Sequence, residues 1–427
     1  MYNGRVKKWW WLILLLFITA VVLGRWFLLK ESPPGSVVSP LFPQSSSGQS
    51  RFKLPAPIEW TLLLTGDIIP ARVVNQKMVA KNDFNWPLVN IAPVLKDADL
   101  TLINLESPLI VNCGVTNEGM TFCGDYRFAK SLADSGVDAA NLANNHSLNY
   151  GWEGLGETEA HLHEAGIETT GFNFGNNSPQ PSLSQREGFP PLYQKARGEE
   201  GFVCQKDIYC SKLVIQEIPK SRHPELVSGS NNIKLGFLGY NAVGQTVDRK
   251  QVEQKIRAAD KRVDVLIVSV HWGKEYEREP HSDPSLAPDD PKELGRLFID
   301  WGVDVVVGNH PHWYQGIEWY SSNAFASAKA TADKQGKTVS EASDNLFAER
   351  SRSITYKPIF YALGNTIFDQ EWSPETKVGY LAKLKFIGTE IKRENVEIIP
   401  IGIRDYGQAY LLEGKEREAV LHFLFPE

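Results

Sequence analysis

The chain has 427 residues, 42% of them hydrophobic, 11% aromatic and 22% charged, with a formal net charge of −6. That length can bury a large core and hold one big domain or two smaller ones. The acidic balance gives no general attraction to nucleic acid or anionic lipid, so a polyanionic substrate would need a local basic site or a metal.

Arg5, Lys7 and Lys8 precede an apolar run over residues 9–29 that is interrupted only by Gly24 and Arg25. A helix of that length, rising about 1.5 Å per residue, matches the hydrocarbon core of a bilayer. Trp9, Trp10, Trp11 and Trp26 suit the two interfaces, and Arg25 can snorkel outward. The basic residues ahead of the run predict a cytoplasmic N-terminus and an exported body. The expectation is a single-pass signal anchor within residues 1–30 of the cell membrane; the alternative is a signal peptide cleaved near Val22-Leu23-Gly24. Residues 31–58, rich in Pro, Ser and Gly, read as an extended tether to a body over 59–427. Export suits the cysteines, which fall in two local pairs, Cys113 with Cys123 and Cys204 with Cys210. Two local disulfides are expected, with free thiols in loops as the alternative.

Within the body, a strand over 60–64 ends at Thr65-Gly66-Asp67, and a helix-like segment runs to Asp97. A second strand, 100–103, ends at Asn104-Leu105-Glu106. A helix over 128–136 feeds a strand over 137–142 that ends at Asn144-Asn145-His146. A helix over 152–165 and a short strand from Ile167 follow. Later come a strand over 233–238, a helix over 252–261, a strand over 263–270 ending at His271, and a helix over 291–301. The β-branched run 303–307 stops at Gly308 and delivers His310-Pro311-His312. After Gln315 the chain turns β-rich, over 358–368 and 378–403. Alternating strands and helices imply βαβ units around a buried sheet, and the β-rich tail should complete a second sheet. Residues 176–232 and 322–357 break the pattern and read as insertions.

The strand ends carry the chemistry. Open α/β sheets place ligands beyond the carboxyl ends of their strands, so residues far apart in sequence converge there. Asp67, Glu106, Asn145, His271, His310 and His312 offer carboxylate, amide and imidazole donors, which suit one or two borderline divalent ions, Mn, Zn, Fe or Mg. On extended backbone, residues two apart point to one side, so His310 and His312 are expected to face one ion. Each residue alone has a plainer reading: an Asp after a strand is often a turn residue, and a histidine is often half-buried and satisfied by backbone. One at every strand end argues for a shared site. His161 and His163, two apart on a helix, diverge and cannot chelate together; they, His223, His281 and His422 are assigned to structure or solvent.

Six motifs then occur in order: Thr65-Gly66-Asp67-Ile68-Ile69-Pro70-Ala71-Arg72, Asn104-Leu105-Glu106-Ser107-Pro108, Leu142-Ala143-Asn144-Asn145-His146, His271-Trp272-Gly273-Lys274-Glu275-Tyr276, His310-Pro311-His312 and Tyr361-Ala362-Leu363-Gly364-Asn365. In these the chain resembles the CapA family of poly-γ-glutamate capsule synthesis proteins. The resemblance implies an α/β, calcineurin-like metallophosphatase fold, an αββα sandwich of two sheets flanked by helices. It also implies membrane anchoring and a role in making or exporting an anionic capsule polymer. By the same resemblance Asp67, Asn145, His271, His310 and His312 fall at the metal, and His146 takes the place of the histidine that protonates a leaving group. Arg72 matches the arginine after the first motif and joins His146 as catalytic. Asn104, Lys274, Glu275, Tyr276 and Asn365 are assigned to the substrate. The chain departs from metallophosphatases at Ile69, where they carry a histidine, and at Asn149, where the CapA family often has an acid. The bridging aspartate is absent, so Asn104 or Glu106 must stand in for it.

Two functions remain open on these residues. One is a metal-dependent hydrolase or transferase outside the cell; the other is a non-catalytic polymer-binding or scaffold subunit. No Gly-x-x-x-x-Gly-Lys-Ser/Thr loop occurs, so ATP-driven ligation belongs to other subunits of a capsule synthase.

Overall fold

Alternation along the first strand sets the architecture. In a computed structural model, which describes residues 57–172, 212–218, 232–322 and 356–426, β1 (Glu59–Ile68) turns Leu62 and Leu64 to one core and Leu63 to another. After β1 come α1 (Val73–Lys81), α2 (Ala92–Lys96), β2 (Leu100–Leu105), the short parallel pair β3 (Leu109–Ile110) and β4 (Gly124–Asp125), α3 (Phe128–Asp134), β5 (Ala139–Asn141), α4 (Gly151–Glu164) and β6 (Glu168–Thr170). A second series follows: β7 (Val214–Glu217), β8 (Lys234–Asn241), α5 (Arg249–Asp260), β9 (Val265–His271), α6 (Pro291–Trp301), β10 (Val305–Asn309), β11 (Ile317–Ser321) and β12 (Tyr356–Phe360). The chain ends with β13 (Asn365–Ile367), β14 (Val378–Ile387), β15 (Val396–Arg404), β16 (Gln408–Leu411) and α7 (Gly414–Leu424).

Two sheets result. One runs β16-β15-β14-β1-β2-β5-β6, with β13 beside the end of β1; the other runs β11-β12-β10-β9-β8-β7. Leu62, Leu64 and Leu102 of the first meet Phe237, Ile267 and Val307 of the second in one core. The opposite face of the first sheet packs Leu63 and Ile103 against Val74, Phe128, Leu155 and Leu162 of helices. The outer face of the second packs Leu266, Val268 and Val306 against Ile256 of α5 and Leu294 and Phe298 of α6. Four layers, α/β/β/α, follow from those three cores. The expected α/β architecture, two sheets flanked by helices, is present.

Helix α6 shows how local signals aim a strand at the site. Asp290 caps it by accepting the Glu293 N–H at 2.8 Å, Pro291 opens it, and Gly302 at φ 125 ends it. Its buried Leu294, Phe298 and Trp301 then set β10 against β9, strand beside parallel strand.

Several expectations are corrected. The tail strands β14 to β16 do not build a second sheet; they return to the first, with β14 antiparallel to β1. Periodicity says that a strand exists but not which edge it joins. The run 358–368 is two strands, β12 in the second sheet and β13 in the first, so the chain crosses between sheets at 361–364. Strand β7 lies inside the stretch read as an insertion, and helix α7 lies in the tail read as β-rich. Among the described residues no helix is long and apolar enough to cross a membrane, and the segment expected to do so lies outside them. Cys113 and Cys123 form a disulfide, Cα atoms 5.8 Å apart. Cys204 and Cys210 lie outside the described residues, as does His223.

Candidate metal centre

Asp67 lies at the end of β1, Glu106 just after β2, Asn145 and His146 after β5, His271 at the end of β9, and His310 and His312 after β10. All of them come together where the two sheets end. Nε2 of His271 is 2.9 Å from Oδ1 of Asn145 and 3.3 Å from Oε1 of Glu106. The buried Asp67 carboxylate accepts from the Asn104 amide at 2.8 Å and from the His310 backbone N–H at 3.2 Å. That second bond ties the first sheet to the second.

The donors fall into two sets. Ligand atoms of Glu106, His271 and His310 lie within 4.8 Å of one another, and so do those of Asp67, Glu106 and His312. Glu106 belongs to both, so it holds the bridging position, while Asn104 spends its amide on Asp67. Both Glu106 oxygens and both His310 ring nitrogens are buried with no hydrogen-bond partner. A buried carboxylate and imidazole left unanswered are costly, and a divalent ion answers them. The residues present therefore fit a metal, with nitrogen and oxygen donors of the kind Mn, Zn or Fe accepts.

The two histidines of His310-Pro311-His312 do not converge on one set, contrary to the extended-backbone expectation. The strand stops at Asn309 and His310 turns to φ 94, which puts one imidazole in each set, ring centroids 6.2 Å apart. Left-handed backbone at a side-chain-bearing residue costs on the order of 1–3 kcal/mol and is retained where a site requires it. Arg72 at φ 50 and Tyr276 at φ 58 carry the same strain at the same place.

Protonation separates the sets. Burial lowers His271 to about 4 and holds His310 well below the ordinary histidine value, so both imidazoles are neutral. Burial, with Asp67 nearby, drives the Glu106 carboxyl far up. For Asp67 burial acts upward, but the bond to His312, the charge of His312 and the bond from Asn104 leave it below the usual value. For His312 burial acts downward, yet Asp67 and Glu106 carry it up to about 9. Without an ion, Asp67 and His312 thus form a proton-bearing pair, with Nδ1 of His312 3.4 Å from Oδ2 of Asp67.

His146 flanks the sets, with Nε2 4.0 Å from Oε1 of Glu106. Its Nδ1 lies 3.0 Å from Oδ1 of Asn149, and that same oxygen accepts the Phe122 N–H at 2.7 Å. An amide oxygen pinned by one N–H can only accept from the imidazole, so Nδ1 carries the proton and Nε2 presents its lone pair. Burial lowers this imidazole to about 4. Phe122 also stacks on it, ring centroids 4.1 Å apart. The neighbouring Cys123 anchors the loop that carries Phe122 through the disulfide, which closes a short loop and contributes about 2–3 kcal/mol.

Residues 61–370 match the family model described as "Bacterial capsule synthesis protein PGA_cap". The chain belongs to that family. It is 24% identical over 351 residues to capsule biosynthesis protein CapA of Bacillus anthracis, covering 81% of this chain and 68% of that one. It is likewise 24% identical over 346 residues to PGA biosynthesis protein CapA of Bacillus subtilis, covering 80% and 70%. Among solved structures, a putative 5'-nucleotidase from Staphylococcus aureus overlays 85% of this chain and 57% of its own, at 9% identity and a TM-score of 0.37. An overlay that loose supports no functional statement.

In this PGA_cap chain the remaining site residues divide. Asn365 donates to the Thr376 carbonyl at 2.9 Å, which turns its Oδ1 toward His312 Nδ1, also at 2.9 Å; it orients a ligand. Tyr276 reaches the centre, its ring 5.7 Å from that of His312, and its hydroxyl accepts from Gln370 at 2.8 Å. Glu275 Oε1 is 3.9 Å from His310 Nε2. Lys274 is not brought in: it is exposed and bonds Glu277 at 2.6 Å. Arg72 is near but not free. Asp369 receives its Nε at 3.0 Å and also pairs with Nη2, and the guanidinium lies 5.1 Å from the Phe122 centroid and 4.9 Å from that of Phe368. Ile69 is fully buried with Ala71, Phe122 and Phe368, so a histidine's position is filled by apolar packing. Sequence reasoning missed Phe122, Phe368 and Asp369, whose only signal is proximity after folding. It assigned His161 and His163 correctly: one packs on Tyr126, ring centroids 4.8 Å apart, and the other bonds Thr169 at 3.1 Å.

Proposed function

We propose that this PGA_cap protein is anchored in the cell membrane through residues 1–30, N-terminus inside, and acts outside the cytoplasm. There it takes part in the synthesis or export of poly-γ-glutamate or a similar anionic surface polymer, using a divalent metal held by Asp67, Glu106, Asn145, His271, His310 and His312. The observation that carries the metal reading is Glu106, wholly buried, shared by both donor sets and without a hydrogen-bond partner. The polymer reading rests on the family and on the two Bacillus relatives, both named for biosynthesis of such material.

A bound divalent ion would supply a Lewis acid toward a phosphoryl or carboxyl/amide group and acidify a water molecule. The chain's residues supply the rest. Asn145 holds the His271 ring in place. Nε2 of His146 is the group that takes or returns a proton, its orientation fixed by Asn149 and Phe122. Asp369 locks Arg72 against Phe122, so Arg72 shapes the pocket beside His146 more than it offers an open fork to substrate. Activated monomers come from other subunits of a synthase.

A second reading, a polymer-binding or scaffold subunit, is favoured by one observation: Ile69 fills a ligand position with apolar packing. One experiment separates the two. Full-length protein is analysed for bound metal, and a variant with Asp67, His271 and His310 all replaced by Ala is tested for complementation of a strain lacking this protein. Bound metal with no rescue by a folded, exported variant supports catalysis; full rescue overturns it and leaves the scaffold.

A further inference from the structure

Glu275 differs from the other acids of the centre. Its side chain is 28% exposed, against 2% for Asp67 and 0% for Glu106, so it stands at the mouth while they form the floor. Its Oε1 still reaches to 3.9 Å of His310 Nε2. Among the described residues no lysine or arginine pairs with it. The neighbouring Lys274 is turned away onto Glu277, and Arg72 is answered by Asp369.

The wall next to Glu275 is aromatic. Trp372 is 61% exposed and packs edge-on against Tyr276, ring centroids 4.8 Å apart. Gln370 fixes the Tyr276 hydroxyl, and backbone strain at Tyr276 holds that ring over His312. A carboxylate without a lysine or arginine partner, beside a tyrosine that packs against an exposed tryptophan, recognises a protonated amine by charge and by the ring quadrupoles. The same carboxylate repels a phosphate dianion at the same distance.

We propose that Glu275, with Tyr276 and Trp372, selects substrates that carry a free protonated amine beside the amide on which the metal centre acts. The inference rests on the metal-dependent reading above and narrows its substrate to aminoacyl amides rather than phosphomonoesters. Glu275 takes no part in bond breaking; it holds the ammonium so that the adjacent amide carbonyl lies over Glu106 and His310.

The test uses full-length protein loaded with Mn²⁺ and two probes, L-alanine p-nitroanilide and its N-acetyl derivative, which differ in the charged amine. Binding is measured by calorimetry, and metal content is measured in parallel. The free-amine probe should bind about ten-fold or more tightly than the acetylated one. Glu275→Gln should erase that preference with metal content unchanged, and Trp372→Ala, at an exposed position, should reduce it several-fold. Equal binding of the two probes, binding of neither, or a preference that survives Glu275→Gln overturns the inference while leaving the metal reading intact. Loss of metal in Glu275→Gln overturns it too, since Glu275 is then a ligand. A wild-type protein that takes up no metal removes both readings.

Discussion

One donor set, Glu106 with His271 and His310, is built from neutral imidazoles; the other, Asp67 with Glu106 and His312, contains a proton-bearing ion pair. An ion entering the first displaces no imidazole proton. In the second it must expel the proton shared by Asp67 and His312. The first set also has the Asn145 oxygen at hand, 2.9 Å from His271, whereas beside the second Ile69 lies packed among Ala71, Phe122 and Phe368. Equivalent strand ends therefore give unequal sites. The fold fixes where donors stand, and a single side chain decides how ready a site is.

The largest effect expected is at the residue both sets share. Glu106→Gln should weaken metal binding at both by about 100-fold or more. Thermal unfolding reads this directly: chelator should lower the wild-type midpoint and leave that of the variant where it was. Next, His310→Ala and His312→Ala should part company in a metal titration at pH 7. The first should lose the tight equivalent, and the second should keep it and lose only the weaker one. The opposite order would break the comparison. A smaller gain is expected from Ile69→His, which should tighten the second set by about ten-fold at a cost of about 1–2 kcal/mol in metal-free stability, because a polar ring enters an apolar cluster. Unchanged affinity would show that the ring stays among the phenylalanines.

The smallest effect is the pH dependence of the chelated protein. His146 and His271 have folded values near 4, and His310 lies well below the ordinary value. As pH falls from about 6.5 toward 4, the unfolded chain binds protons that the folded one refuses, so stability falls. His312, raised to about 9, contributes stability that is complete below about 6.5 and lost as pH rises through 9. Glu106, driven far up, costs stability as pH rises above its ordinary value of 4.5. Urea midpoints should still peak near neutrality and drop on the acid side, where His146, His271 and His310 together outweigh it. A midpoint that rises steadily from pH 5 to pH 9 would contradict this assignment.

The strands and the donors at their ends were legible because both are local signals, a hydrophobic run followed by one polar residue. Asp67, Asn145 and His271 stand where such reasoning puts them. The separation of His310 from His312 was not legible, since it depends on a positive φ at His310 that runs against the extended backbone a following proline favours. The capture of Arg72 by Asp369 spans 297 positions and has no pattern to betray it. Gly66 shows the same limit from the other side. A Cβ there would lie 1.8 Å from the Gly364 carbonyl oxygen, a close approach that lets Asp67 pair with Asn365, and nothing in Thr65-Gly66-Asp67 names the partner.

The family match ends at residue 370, yet the strand that bears Asp67 is not complete there. Strand β14 covers β1 from Glu59 opposite Ile387 to Leu64 opposite Ala382, and the Trp60 indole donates to the Gly388 carbonyl, 328 positions away. Pairings over such separations carry a large loop-closure entropy and form late. On a ribosome the first carboxylate of the candidate centre is made long before the strand that pairs with β1. For most of its synthesis, β1 has an open edge. Assembly of the centre is thus timed by the far end of the chain, and the segment that carries no ligand decides when the ligands meet.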